Sequence, residues 1–488
     1  NQLEYTFNMP INSVTYTAKW AKATVNQNIA EAGEITSLSN TYLPGDKINL
    51  TATTFVGHTW LGWYNGNELL TLDKEYLLVI PDNDITITAK WAQDNLLNDF
   101  TVEATTTTCV ITGIKDKKAT SVIIPEYVTG IASNAFKECY HLVLVYNLSS
   151  LNIEIGNTAN GYVGYYAKQV FQSLNEEEYL YDNGDFTFYV CGDEILLISY
   201  NGVEEALVLP NDYNGKTYKV NANAFRDMTI NSVTFPNGVT DLGTGAFYGC
   251  SKLTSIEIPA TIKSIGKEAF YNCTLLDTIK VLGANIEVGA SAFARCAITN
   301  ATVPSDFITH LPKDKLTTVV VSSGDSIPYA AFSRCTTLTS VTLPSTILRI
   351  EEDAFYGCSK LKSISIPNKV TAIGETAFAK SGLTTITIYA SVTSFGGGVF
   401  WDCKSLQSAT IYAKVTEMPS YKDGVNPYTM RGFFYGCTAL RNVTLPSTLT
   451  ILSDSMFFGC TALSNIVVPD SVVTISDNAF SGCSSLKS

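Results

Sequence analysis

Twelve cysteines, three histidines and scattered pairs of carboxylates are the residues of this 488-residue chain that could carry chemistry. His58, His141 and His310 lie far apart and lack any metal-ligand spacing. Asp82-Asn83-Asp84 lacks the glycine and the distal glutamate of a calcium loop and reads as a turn. No Gly-x-Ser-x-Gly elbow is present, and Gly396-Gly397-Gly398 is an isolated turn before Phe400 instead of a phosphate cradle. Glu351-Glu352 sits at surface positions of a repeat. Neither catalysis nor a metal or cofactor is expected of this chain.

The cysteines follow a register. Cys139, Cys250, Cys273, Cys296, Cys335, Cys358, Cys403, Cys437, Cys460 and Cys483 each stand three residues after a phenylalanine, and no Cys-x-x-Cys pair occurs. Met228 and Ser381 fill the same position in two further copies. Thiols stacked at one register point in parallel, which is poor geometry for bonding to each other. They read as a ladder of small buried hydrophobes. Cys109 and Cys191 fall outside the ladder and read as core.

The phenylalanines define the repeat that must position these residues. They are Phe136, Phe225, Phe247, Phe270, Phe293, Phe332, Phe355, Phe378, Phe400, Phe434, Phe457 and Phe480. From Phe225 the steps are 22 or 23 residues, apart from one of 39 and one of 34, and alanine precedes nine of the twelve. Between the boxes runs an apolar alternation closed by proline, as in Leu253-Thr254-Ser255-Ile256-Glu257-Ile258-Pro259. So short a strand cannot bury its face alone, so copies must stack into a parallel sheet. The phenylalanines at one register then form a spine. From Ile230 to Leu486 there are twelve strand positions, which at about 4.8 Å each predict a sheet roughly 53 Å long.

Two steps are irregular. The step of 39 hides a copy without the Ala-Phe box, with strands at Ile298–Val303 and Leu316–Val321. The step of 34 holds an insertion near Met418–Tyr428 that reads as an exposed loop. Residues 143–184 are expected to depart from the pattern, with Glu176-Glu177-Glu178 in a solvated loop.

A second, longer period lies at the N-terminus. Residues 1–20 match the end of the module that follows, at an offset of 71: Pro10 pairs with Pro81 and Trp20 with Trp91. Alternation at Asp46–Leu50 and Ile85–Ala89 and an aromatic run at Thr59–Tyr64 predict three strands, with Trp63 and Trp91 filling a small core.

Composition narrows the function classes. Lys and Arg number 32 against 45 Asp and Glu, a net charge of −13, which argues against nucleic acid or an anionic membrane as partner. No apolar run reaches the roughly 18 residues of a membrane span. The chain starts at Asn1 without a signal peptide and stops within a repeat, so it is expected to be a fragment of a longer protein.

Leu43-Pro44-Gly45-Asp46, Gly57–Tyr64 and Thr86–Trp91 together resemble the Listeria–Bacteroides repeat, a β-grasp-like module. The Ala-Phe-x-x-Cys box with the Leu-x-x-Ile-x-Ile-Pro strand resembles the BspA-like, treponemal-type leucine-rich repeat. That resemblance implies a right-handed solenoid with a parallel β-sheet on one face and an irregular or short-helical convex side. It further implies an extracellular or cell-surface location and adhesion to proteins of a host or neighbouring cell, without catalysis. The expected domains are 1–20, the remnant of a truncated β-grasp-like repeat; 21–92, one complete copy; 93–184, a first leucine-rich segment; and 185–488, the main solenoid.

The expected sheet face carries columns of small polar residues such as Ser363, Thr385 and Ser408, with no aromatic stripe. Tyr421, Lys422, Tyr428 and Arg431 in the insertion are therefore the candidate partner-binding residues, with Tyr162, Tyr165 and Tyr166 as a second group. A monomer that binds protein is the leading expectation. Glycan binding would need aromatic platforms, and a scaffold role would need an enzyme domain outside these residues.

Overall fold

The computed structural model describes residues 19–36, 38, 41–105, 108–174, 177–422 and 430–487. The match of residues 1–20 to the following module, Glu176 and the centre of the insertion thus fall wholly or largely outside the described residues. The chain divides into two compact units, 1–178 and 179–488.

In the first unit, Ala21–Gln27 pairs in parallel with Ile85–Gln93, and His58–Asn65 pairs antiparallel on its other side. A separate hairpin joins Lys47–Thr51 to Glu75–Val79. All three strands expected from the sequence are present: Ile85–Gln93 and His58–Asn65 in a mixed sheet with a central parallel pair, and Lys47–Thr51 in the separate hairpin. Trp63 and Trp91 are fully buried, and Trp60 packs edge-on against both, with centroids at 5.5 and 4.9 Å.

The rest of this unit begins with the hairpin Phe100–Ala104 and Cys109–Ile114. Ser121–Ile124, Leu144–Asn147 and Gln169–Phe171 then stack in parallel. Two of these strands lie in the stretch expected to break the pattern. The stacking continues there because Val145 keeps a core-facing apolar group and Val170 packs against the same core, even though no Ala-Phe box precedes Gln169–Phe171.

The second unit opens with an antiparallel meander, Leu180–Asn183, Phe186–Cys191 and Glu194–Tyr200. Its last strand pairs in parallel with Tyr218–Val220 and becomes the first rung of a ladder. Most coils that follow carry two short strands. One set, Ala206–Val208 through Ser340–Thr342, forms a seven-stranded parallel sheet, here called the front. The other, Tyr218–Val220 through Glu287–Val288, forms the back. The return leg is thus more regular than expected. Helix among the described residues of this unit is confined to one 3-10 segment, Ser305–His310.

The front is not one continuous sheet. It stops after Ser340–Thr342 and resumes at Thr385–Ile388, Ser408–Ile411 and Asn442–Thr444. Residues 363–366 and 465–468, which have the same alternation, pair with neither neighbour among the described residues; at residue 464 only the Lys487 N–H donates to the Ser464 carbonyl, at 3.1 Å.

The Ala-Phe box supplies a third ladder. In the coil of Phe355, the N–H groups of Asp353, Phe355 and Gly357 donate to the carbonyls of Glu375, Ala377 and Ala379 in the next coil, at 3.0, 2.7 and 2.8 Å. The alternate N–H groups of Ala354, Tyr356 and Cys358 donate within their own coil. Sending every second donor along the stack requires left-handed backbone on either side of the phenylalanine: φ is 56° at Asp353 and 71° at Gly357. The position two residues after the phenylalanine is left-handed in every box, from Glu138 to Gly482.

These bonds bring the phenylalanines into register. Rings stack face to face from Phe225 to Phe293 and from Phe332 to Phe480, with centroids 4.9–5.7 Å apart. The copy without a box inserts Phe307 edge-on against Phe293 at 5.7 Å.

Two substitutions separate these terms. Phe355→Ala removes a fully buried ring and is expected to cost about 3–5 kcal/mol. At Gly357 an added Cβ would meet nothing closer than 3.6 Å, so Gly357→Ala tests the backbone alone and should cost about 1–2 kcal/mol. Urea unfolding of the two variants measures both.

Candidate functional site

The box also determines what faces solvent. With Phe355 and Cys358 turned inward, the residue directly after the phenylalanine is left partly exposed in most boxes, Ala379 being the buried exception. Tyr248, Tyr271, Tyr356, Trp401, Tyr435 and Phe458 occupy this position. Tyr248 stacks on Tyr271 at 5.0 Å and Tyr435 on Phe458 at 4.7 Å. An aromatic column therefore exists, but on the box edge and not on the sheet. The signal was in the sequence, one residue beyond each phenylalanine.

The insertion builds on this column. Tyr421–Lys422 and Met430–Arg431 form a short antiparallel pair, with Tyr421 opposite Arg431 and Lys422 opposite Met430. The Tyr421 ring lies parallel to Trp401 at 6.2 Å. The Arg431 guanidinium sits 3.9 Å from the Trp401 centroid and 5.9 Å from that of Tyr421. In the coil between Tyr356 and Trp401 this position is the buried Ala379. There the Lys380 ammonium fits 5.3 Å from Tyr356 and 4.6 Å from Trp401. Rings and cations thus mingle along one edge. Of the four residues picked out in the insertion, Tyr421 and Arg431 are brought together, Lys422 contributes main-chain pairing, and Tyr428 lies outside the described residues. Sequence reading missed Trp401, Tyr356 and Lys380, which come from other coils. Tyr162, Tyr165 and Tyr166 form a separate cluster in the first unit.

Beside the rings is an open cavity of about 250 Å³, lined also by Ser333, Arg334, Glu352, Asp353 and Thr376. The Thr376 hydroxyl donates to Asp353. Partial burial, with Glu352 and Asp353 nearby, raises the Glu375 carboxyl above its ordinary pKa. The site is rich in charge, hydroxyls and aromatic surface.

The thiol ladder is more than packing. The Cys358 thiol donates to the carbonyl of Phe332, one coil back, at 3.1 Å. The same bond links Cys250 to Phe225, Cys273 to Phe247, Cys296 to Phe270, Cys403 to Phe378, Cys437 to Phe400, Cys460 to Phe434 and Cys483 to Phe457, at 3.0–3.3 Å. Cys139 and Cys335, whose preceding coil lacks the box, make no such bond among the described residues. At Ser381 the hydroxyl faces the Cys403 thiol at 3.4 Å. Burial pushes the thiols of Cys139 and Cys335 up to about 11 and that of Cys250 up to about 12. Such thiols stay protonated and unreactive at neutral pH.

Two tests follow from this chemistry. In the folded protein at pH 8 the ladder thiols should resist a thiol reagent, with half-buried Cys483 the first of them to react. Denaturant without reductant should expose the whole ladder, whereas few new thiols would indicate disulfides. The second test concerns Glu375. Its folded pKa lies above the unfolded value of about 4.3, so its favourable contribution is complete below that pH and is lost as pH rises through the folded value. Glu375→Gln should therefore melt higher than the wild type at pH 7, and the gap should close by pH 4.

Residues 79–192, 205–315, 325–422 and 430–488 match the BspA type leucine rich repeat region. Residues 23–95 match the divergent InlB B-repeat domain. Among solved structures, a leucine-rich repeat protein from Bacteroides ovatus ATCC 8483 is 24% identical, covering 63% of this chain and 81% of its own, with a TM-score of 0.39. A leucine rich cell surface protein from Faecalibacterium prausnitzii A2-165 is 26% identical over 64% of this chain and 94% of its own, at a TM-score of 0.27. The pneumococcal vaccine antigen PcpA is 15% identical over 62% and 94%, at 0.25. No curated protein matches the chain.

Proposed function

Because the chain belongs to the BspA-type leucine-rich repeat family, we propose that it is a non-catalytic, adhesin-type protein of a bacterial surface or secreted system. It binds proteins of a host or a neighbouring cell as a monomer, with the N-terminal module serving as a stalk. The observation that carries this reading is the cluster of Trp401, Tyr421 and Arg431. Tryptophan, tyrosine and arginine are the residues that dominate protein–protein hot spots. Here they come from separate coils and an insertion, partly exposed and held by mutual stacking. Preorganised side chains lose little entropy on binding, which favours affinity.

The same cluster argues against glycan as the main ligand. A sugar needs an open ring face, and cations lie over the Trp401 ring. The net charge of −13 favours partners with basic surfaces over nucleic acid.

The test is a binding screen of the purified chain against matrix proteins, intact cells and a glycan array. At least one protein ligand is expected, with binding weakened about tenfold, or about 1.4 kcal/mol, by Trp401→Ala or Arg431→Ala. Glycan binding without protein binding, or protein binding indifferent to both substitutions, would refute this assignment of the site.

A further inference from the structure

The front sheet has an open edge where it starts. Ala206–Val208 is its first strand and pairs on one side only, with Ser232–Thr234. The Glu205 carbonyl accepts from the Ser232 N–H at 3.4 Å, and the Leu209 N–H donates to the Thr234 carbonyl at 3.2 Å. Main-chain groups alternate in direction along a strand, so those of Ala206 and Val208 point away from the sheet. Among the described residues nothing pairs with them. Their side chains also differ from those of the strands behind. The two columns that Ala206 and Val208 begin continue as Ser232 and Thr234, then as Ser255 and Glu257. The edge is thus apolar where the next strands are polar. Val208 is 64% exposed, and Val203 just before the strand is 92% exposed.

An unpaired edge offers N–H and C=O groups at the spacing that an extended chain satisfies, and lysine, proline or a bulge usually blocks it. Residues 203–209 contain no lysine or proline, and the pairing with Ser232–Thr234 runs without a bulge. The charge around the edge indicates which chain it suits. Residues 179–215 hold seven carboxylates and no lysine, arginine or histidine, a charge of −7 in 37 residues of a chain whose total is −13. All seven are exposed. Among the described residues only two of them face a lysine: Asp193 lies 3.8 Å from Lys216, and Glu205 lies 3.7 Å from Lys252. Glu204 and Glu205 lead directly into the strand. Asp185 is held at the same end, its carbonyl accepting from the Asn201 N–H at 2.8 Å. A second copy of the chain would bring the same carboxylates to the same edge, so repulsion disfavours it.

We propose that the edge strand Ala206–Val208 takes an extended, basic segment of a partner protein, which pairs with it through main-chain hydrogen bonds and is drawn in by Asp185, Glu204 and Glu205. Four main-chain groups supply the register, and the carboxylates supply the attraction. The edge belongs to other coils than Trp401, so the two surfaces stand or fall separately.

Hydrogen exchange on the full chain tests the edge. The Leu207 amide, directed at the next strand, should exchange at least about tenfold more slowly than those of Ala206 and Val208. Equal protection of all three would mean that the edge is already covered and would overturn the proposal. Fluorescence anisotropy tests the occupant, using a labelled peptide of alternating threonine and valine flanked by lysines. Binding is expected, with new protection at Ala206 and Val208. It should weaken about tenfold when Glu204→Gln and Glu205→Gln are combined. A similar loss is expected in Ala206→Pro, which removes an outward N–H and no bond of the ladder. N-methylation of alternate peptide amides should abolish binding with the protein unchanged. No binding, equal binding of the N-methylated peptide, or equal binding of an aspartate-flanked peptide would each overturn the proposal. Loss of binding in Trp401→Ala would assign the peptide to the aromatic cluster and overturn it as well.

Discussion

The structure depends on one constraint: every coil must hand hydrogen bonds to the next at the spacing of a β-ladder. Front and back strands meet it in the ordinary way, with main-chain pairs along parallel strands. The box between them cannot be a strand, because it must turn. It meets the constraint by alternating donors, one along the stack and one within the coil. That alternation places Asp353 and Gly357, and their counterparts apart from Gly432, in left-handed backbone. Glycine is at ease there, while Arg334, Lys380 and Asp402 at the same position are strained by their Cβ atoms. The array holds because stacking supplies more than this strain removes.

The same spacing explains the phenylalanine and cysteine columns. Rings fixed to rungs about 5 Å apart stack nearly parallel, which limits each ring to a narrow range of orientations. The phenylalanine carbonyl already accepts the N–H of the cysteine in its own coil, leaving a lone pair that faces the next coil. A thiol is small enough for this gap and can still donate to that oxygen. Alanine would fill less of the space and donate nothing. The absence of the bond at Cys139 and Cys335, where the preceding coil has no box, supports this account.

The candidate binding residues gather where the repeat is least regular. Ala379 leaves a notch between Tyr356 and Trp401 that Lys380 enters, and the insertion after Met418 folds Tyr421 and Arg431 back over Trp401. The front sheet is interrupted at residues 363–366 while the back there stays paired at Ala372–Ile373. Regular coils supply rigidity, and these departures supply distinct surface.

The sequence by itself determined the repeat, its register and its buried columns, because stacking forces identical positions in successive coils into identical surroundings. The positions of Phe355, Cys358 and Ile366 were legible for that reason, as were Trp63 and Trp91 in the small N-terminal core. Glycine recurring two residues after the phenylalanine, as in Gly249, Gly357, Gly436, Gly459 and Gly482, was also a readable sign of the left-handed turn. Only the tertiary structure decided which side chains meet between coils. The thiol-to-carbonyl bonds, the gathering of Tyr356, Lys380 and Trp401 with the insertion, and the interrupted front at Ser363–Ile366 all depend on contacts more than twenty residues apart or on pairing that local alternation does not specify. Periodicity tells which way a side chain faces within its own coil, but not how closely the neighbouring coil approaches it.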